Sequence, residues 1–169
     1  ELVRRQEEVK AALAGQRFVL FAQPIVPLAG VGEGVHCEIL LRLRQEDGTL
    51  QAPGYFLNAA ERAQLTGAID RYVIARLLAW LAGNPAATAR LGKCAINLTG
   101  WSVSDPGLAA WIGRQVQAHG IPAHKLCFEI TESQAIANRE VARGLIESLR
   151  AMGASVSLDD FGTGLATFD

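Results

Sequence analysis

Apolar residues along the chain follow two alternating patterns. Runs rich in β-branched and other apolar residues, typical of strands, end in oxygen-bearing side chains at 35–42, 93–97, 125–132 and 154–164. Helix-length amphipathic segments lie between most of these runs, which predicts parallel strands joined by crossover helices. We therefore expect an α/β fold in which the carboxyl ends of the strands meet along one rim.

The other segments fit the same alternation. Residues 1–15 are predicted to form an N-terminal helix or linker that follows an upstream domain, and residues 16–169 one domain. Pro24 marks a strand end or a sheet edge, because proline cannot donate to a ladder. Helices are predicted from Pro53, over 69–81, over 106–119 and over 134–152.

Two adjacent aspartates follow the last strand. Asp159 and Asp160 precede Gly162 and Gly164, which allow the backbone to bend sharply. Neighbouring carboxylates repel each other unless a cation or a shared proton offsets the repulsion, so the pair indicates a metal site. Taken alone, the pair fits an Asp-rich turn that bonds to its own backbone better, and only the same pattern in the earlier strands favours a metal site.

Other strands would bring further oxygen atoms to the same rim. Glu38, Asn97 and Glu129 lie in the three earlier runs. Carboxylates with one carboxamide are ligands that suit Mg²⁺ or Mn²⁺, and two such ions favour hydrolysis of a phosphodiester. Arg42 shares a strand face with Glu38, where it could bind a phosphate or pair with a neighbouring acid.

Composition narrows the class of partner. The formal net charge is −1, so the basic surface that a nucleic acid polymer needs is lacking. No apolar run approaches the roughly 20 residues that cross a bilayer, and no signal peptide precedes the first helix. We expect a cytoplasmic protein, or the cytoplasmic part of a membrane-anchored one, with reduced thiols in its three strand cysteines, Cys37, Cys94 and Cys127.

Several familiar motifs do not apply. The glycines of 30–34 precede a strand, whereas phosphate cradling needs glycines that open a helix. The histidines lack zinc-binding spacing. Residues 160–162 match the metal-binding tripeptide of protein kinases, but no kinase glycine loop, strand lysine or catalytic loop accompanies them. The tryptophans are expected to pack in the core or at the rim rather than stack on a ligand: Trp80, Trp101 and Trp111.

Five motifs occur in a fixed order: Gln23-Pro24-Ile25, Glu38-Ile39-Leu40-Leu41-Arg42, Asn97-Leu98-Thr99, Glu129-Ile130-Thr131-Glu132-Ser133 and Leu158-Asp159-Asp160-Phe161-Gly162-Thr163-Gly164. In this order and at this spacing they resemble the EAL domain, the bacterial phosphodiesterase family specific for cyclic di-GMP. The family's Glu-Ala-Leu reads Glu-Ile-Leu here. Ile39 is expected to point away from the pocket, because side chains alternate along a strand.

The resemblance implies a TIM-barrel-like (β/α) barrel, present here as an incomplete barrel of about five strands. It also implies hydrolysis of cyclic di-GMP to linear pGpG with two Mg²⁺ or Mn²⁺ ions. By similarity, one ion would be held by Glu38, Asn97, Glu129 and Asp159, and the second by Asp159 with Asp160. The residues that would act directly in catalysis are Glu38, Asp159 and Asp160.

The resemblance assigns supporting roles as well. Gln23 and Arg42 would contact the dinucleotide, and Glu132 would steady the loop that carries Asp160. Implied partners are an upstream sensory or GGDEF domain and a second copy of the chain.

The chain also departs from the family. Residues 165–167 read Leu-Ala-Thr where the family commonly has an aromatic residue and two serines. The family's domain continues beyond Asp169 with a lysine, a metal-binding glutamate and a glutamine, so no turnover is expected from the 169 residues alone. A receptor that binds cyclic di-GMP without cutting it is the alternative function.

Overall fold

The alternating sequence patterns correspond to six strands and eight α-helices in the part of the chain that the computed structural model describes, residues 1–28 and 33–159. The strands are β1 (Phe18–Ile25), β2 (Val35–Arg44), β3 (Leu50–Gln51), β4 (Leu91–Asn97), β5 (Leu126–Thr131) and β6 (Ser155–Asp159). The helices are α1 (Leu2–Ala14), α2 (Pro53–Arg62), α3 (Thr66–Gly83), α4 (Pro85–Arg90), α5 (Gly100–Val103), α6 (Leu108–His119), α7 (Glu132–Ala137) and α8 (Arg139–Ala151). The predicted α/β alternation is confirmed.

The sheet is parallel except at one edge. Its strand order is β1-β2-β4-β5-β6, with the short β3 paired to β2. β2, β4, β5 and β6 run parallel, whereas β1 forms an antiparallel pair with β2 and places Pro24 in an edge strand, as predicted. Among the described residues the sheet does not close on itself. The parallel strands end at one edge, which becomes the rim of the site.

The two faces of the sheet differ in polarity. On β5, Leu126, Phe128 and Ile130 are buried, and they alternate with the half-buried Cys127 and Glu129. Burying each large apolar side chain contributes roughly 1.5–3 kcal/mol, so the helix-covered face stabilises the fold and the other face is left for polar groups. Ile39 is in the apolar core, and its predicted orientation is confirmed.

Helix α1 packs onto this core. Val9 and Ala12 are fully buried, and the Tyr55 hydroxyl of α2 donates to Glu8 at 3.3 Å. The guanidinium of Arg5 lies 4.5 Å from the centroid of the Tyr55 ring. The helix predicted at this end of the chain is confirmed, and the domain boundary at residue 15 stays a prediction.

The helical segment predicted over 134–152 is confirmed in its extent but not as one helix. The structure has α7 and α8 instead, separated by Asn138 with φ −144° and ψ 77°. A capping box sets the start of α7: the Thr131 hydroxyl accepts from the Gln134 N–H at 3.3 Å, and the Gln134 side chain accepts from the Thr131 N–H at 3.0 Å. Glu132, predicted at a strand end, is consequently the first residue of a helix.

Tryptophans and cysteines follow the predictions in part. Trp111 packs against the core, but Trp80 and Trp101 are 55% and 52% exposed, so these two are not in the core and their packing at the rim stays a prediction. The cysteines are free, as expected, although Cys37 Sγ and Cys94 Sγ lie only 3.8 Å apart. Within the described segments, every helix is too short or too polar to pass through a lipid bilayer.

Candidate active site

The best-defined contact at the rim joins Glu38 to Asn97. The Asn97 carboxamide Nδ2 donates to Glu38 Oε1 at 2.8 Å. Glu38 lies inside β2 and not at its end, which corrects the prediction from the apolar run. It still reaches the rim because the pairing of β2 with β4 ends at Ile39 and Ile96, so β2 extends past its neighbour.

Glu129 and Asp159 lie on the same face of the sheet. Glu129 is the register partner of Asn97, and Asp159 is the partner of Thr131, two residues beyond Glu129. Burial raises the pKa of the Glu129 carboxyl, and the negative charges of Glu38 and Asp159 raise it further. Glu129 is therefore near enough to both Glu38 and Asp159 to be repelled by each of them.

The four predicted ligands of the first ion thus share one face of the sheet. Among the described residues, no three His, Cys, Asp or Glu side chains are arranged to hold a metal ion. Of the other predicted ligands, Asn97 contributes a carboxamide oxygen, and Asp160 lies outside the described residues. Donor chemistry does fit a hard divalent cation, since every candidate ligand is oxygen and the carboxylates of Glu38 and Asp159 both raise the pKa of Glu129.

Gln23 and Arg42 flank Glu38. Gln23 is its register partner on β1, and Arg42 lies two alternations further along the same face of β2. Arg42 Nη1 donates to the Leu41 carbonyl at 2.8 Å, and no described acid forms an ion pair with it. The alternative in which Arg42 pairs with a neighbouring acid is therefore not supported among the described residues.

Glu132 is buried where α7 begins, with 6% of its surface exposed. It follows β5 directly and so lies near the rim. Its predicted contact with the loop that carries Asp160 lies outside the described residues, and its supporting role stays a prediction.

Sequence reasoning missed Asp70. This α3 residue is 5% exposed, and its Oδ2 accepts both the N–H and the hydroxyl of Thr99, each at 2.7 Å. Burial raises the pKa of the Asp70 carboxyl, against the opposing effect of the nearby Ser102 hydroxyl and of the two hydrogen bonds from Thr99. A signal was available, because Asp70 shares a helix face with Val73, Ile74 and Leu77 and an acid on an apolar face needs a buried partner.

Comparison with known proteins decides the family. The family model described as the EAL domain matches residues 6–169. The chain belongs to the EAL domain family. This EAL domain is 37% identical over 161 residues to cyclic di-GMP phosphodiesterase PdeB of Shewanella oneidensis, and 34% identical over 166 residues to cyclic di-GMP phosphodiesterase PdeF of Escherichia coli. The matches cover 95% and 98% of the chain but only 19% and 22% of those proteins, about a fifth of their length.

Solved structures agree on the fold. The EAL domain of FimX from Pseudomonas aeruginosa bound to c-di-GMP superposes with a TM-score of 0.86 at 31% identity, over 95% of this chain and 64% of that one. The PaMucR phosphodiesterase in its c-di-GMP complex gives 0.80 at 30% identity, over 97% and 66%. The predicted TIM-barrel-like fold, with an open partial barrel in this EAL domain, is confirmed.

Proposed function

We propose that this EAL domain hydrolyses cyclic di-GMP to linear pGpG with Mg²⁺ or Mn²⁺. The observation that carries the proposal is the contact of Asn97 with Glu38 on the face that also bears Glu129 and Asp159. Relatives named as cyclic di-GMP phosphodiesterases support the choice of substrate.

The family resemblance supplies a role for each residue of the proposed site. Glu38, Asn97, Glu129 and Asp159 would hold one ion, and Asp159 with Asp160 the second. Bound ions of this kind acidify a coordinated water and offset charge on the phosphoryl group. Asn97 fixes the carboxylate of Glu38 by its hydrogen bond, so that less reordering is needed when the site is filled.

The substrate would be held by the neighbours of Glu38. The Arg42 guanidinium is suited to a bidentate phosphate contact, and the Gln23 carboxamide can both donate to and accept from a nucleotide. A diguanylate cyclase domain in the same protein is a further part of the proposal, supported by the 31% identity to the bifunctional MucR of Pseudomonas aeruginosa.

The test uses the natural full-length protein with cyclic di-GMP and Mn²⁺ or Mg²⁺, followed by chromatography for pGpG. Glu38→Gln should lower kcat about a hundredfold or more, because losing one ligand removes several kcal/mol of charge stabilisation. The matched control is Glu147→Gln, an exposed acid on α8 that pairs with Arg143. Equal activity of the two variants would contradict the assignment of Glu38.

A receptor that does not cut is the second candidate. The observation that favours it is the position of Gln23 and Arg42, which could bind the dinucleotide whether or not the metals are held. The FimX EAL domain bound to c-di-GMP is a similar structure in which a ligand is present. Tight binding by calorimetry without pGpG would establish this function and exclude the first.

A further inference from the structure

The buried acid Asp70 on α3 affects the geometry of the rim through its contact with Thr99. We infer that Asp70 is a positioning residue: through Thr99 it fixes the end of β4 and thereby aims the Asn97 carboxamide at Glu38. The inference rests on the proposed function for its kinetic consequence, but its structural consequence can be measured without substrate or metal.

The first step is the contact of Asp70 with Thr99. A carboxylate that is 5% exposed has lost most of its hydration, so it is tolerated only where strong donors replace water. Both donors of Thr99 point at the same oxygen of Asp70, each at 2.7 Å. This double contact restricts the Thr99 backbone as well as its side chain.

The second step is that the Thr99 side chain does not cap the helix that it precedes. Thr99 precedes α5 in the N-cap position, where a threonine side chain usually accepts an N–H of its own helix, a contact worth about 1 kcal/mol. Here the side chain makes no such cap and its hydroxyl donates to Asp70 instead. The local preference of the residue is therefore overridden by the contact with α3.

The third step connects Thr99 to the site. Leu98 is the only residue between Thr99 and Asn97; it is 4% exposed, and its N–H donates to the Glu129 carbonyl at 2.9 Å. The backbone that follows Asn97 is thus held from two sides, by β5 and by Asp70. Asn97 can then present its Nδ2 to Glu38 in one orientation.

A matched control lies next to Asp70 in the sequence. Arg71 Nη2 donates to Asp105 Oδ2 at 2.6 Å, which ties α3 to the segment between α5 and α6. The side-chain contacts of Asp105, with Arg71 and the Gly107 N–H, do not involve the end of β4. Asp70→Asn removes a carboxylate on α3, and Asp105→Asn removes a carboxylate that accepts a hydrogen bond from α3. Only the Asp70 side chain is connected through Thr99 to Asn97.

The experiment compares these variants in the full-length protein at a temperature where thermal unfolding shows both to be folded. Asp70→Asn should lower kcat for cyclic di-GMP about tenfold to a hundredfold, with KM little changed. It should also shift the side-chain amide signals of Asn97 in ¹H–¹⁵N spectra and speed exchange of the Thr99 amide hydrogen. Asp105→Asn should lower Tm while leaving kcat and the Asn97 signals as they are.

Thr99→Val provides a second variant, which keeps the backbone donor and removes the hydroxyl. It should change kcat and the Asn97 signals in the same direction as Asp70→Asn, and the double variant should lose less than the sum of the two losses. Unchanged Asn97 signals in folded Asp70→Asn, or equal loss of kcat in Asp70→Asn and Asp105→Asn, would overturn the inference. If the parent protein forms no pGpG, the proposed function fails, and the spectra alone still decide the role of Asp70.

Discussion

Asp70 and Asp105 show how a single residue type takes its properties from its surroundings. Burial is the largest influence on Asp70 and raises its pKa, although Thr99 donates to it twice. The Gly107 N–H is the largest influence on Asp105 and lowers its pKa, helped by Arg71. The pKa values of the two acids are therefore shifted in opposite directions, although Asp70 lies on α3 and Asp105 binds its neighbour on α3, Arg71.

This difference gives a pH dependence of stability. Because the Asp70 pKa is raised in the folded protein, the free energy of unfolding should fall as pH rises from the ordinary value of 3.8 through the folded value, and this loss persists at higher pH. The wild-type protein should therefore lose stability relative to Asp70→Asn across that window. Urea unfolding at a series of pH values measures the difference.

Asp105 provides the opposite sign as a control. Its pKa is lowered, so its stabilising effect is present above 3.8 and is lost as pH falls through the folded value. The wild-type protein should gain stability relative to Asp105→Asn as pH rises. Differences of the same sign for both acids would show that the assigned environments are wrong.

At the scale of an element, two glycines differ in whether their helix or strand leaves space for a side chain. A Cβ on Gly144, exposed in the middle of α8, would meet nothing within 4 Å. A Cβ on Gly92 in β4 would lie within 2.8 Å of the His36 ring and closer still to the Glu33 carbonyl. The same substitution should therefore have opposite effects in the two elements.

We expect Gly144→Ala to raise the free energy of unfolding by about 0.5–1 kcal/mol, because alanine is the better helix former and no atom has to move. Gly92→Ala should lower it, since the new methyl group would push β4 away from the turn before β2. Chemical denaturation of both variants checks the signs. Stabilisation by Gly92→Ala would contradict the close packing of β2 and β4.

Sequence patterns predicted elements well where one period ran without interruption. The apolar face of α3 and the alternation along β5 needed no tertiary information, because their periods distinguish helix from strand. The break at Asn138 was missed because the apolar spacing continues through it, while the Thr131 capping box that starts α7 is only a three-residue signal. Short polar contacts overrode the longer pattern there.

At the scale of the whole molecule, the residues of the site could be chosen from sequence but not their contacts. Parallel strands bring their carboxyl ends together, so the predicted convergence of Glu38, Asn97 and Glu129 on one face follows from topology. The hydrogen bond between Asn97 and Glu38 depends on how far β2 extends past β4, which no local pattern encodes. Asp70 acts across about thirty positions of sequence, and only the fold reveals its partner.

The clustered carboxylates of the site lower the free energy of unfolding of the protein when no cation is bound. The negative charges of Glu38 and Asp159 act on the partly buried Glu129 and disfavour its charged form. Such sites are tolerated because ligand binding recovers the loss: a cation present at 100 times its Kd adds about 2.7 kcal/mol to the free energy of unfolding. The metal-free and metal-bound proteins should therefore differ clearly in Tm.

Glu129→Gln separates repulsion from binding. The neutral amide removes the central charge of the cluster, so Tm in EDTA should rise above that of the wild-type protein, while the further rise on adding Mn²⁺ should shrink or vanish because a ligand is lost. The order of stability of the wild-type protein and Glu129→Gln would then reverse between EDTA and Mn²⁺. No such reversal is expected for Glu147→Gln, which lies away from the rim. Calorimetric unfolding in the two buffers measures both effects, and a lower Tm of Glu129→Gln in EDTA would show that these carboxylates do not repel one another in the folded protein.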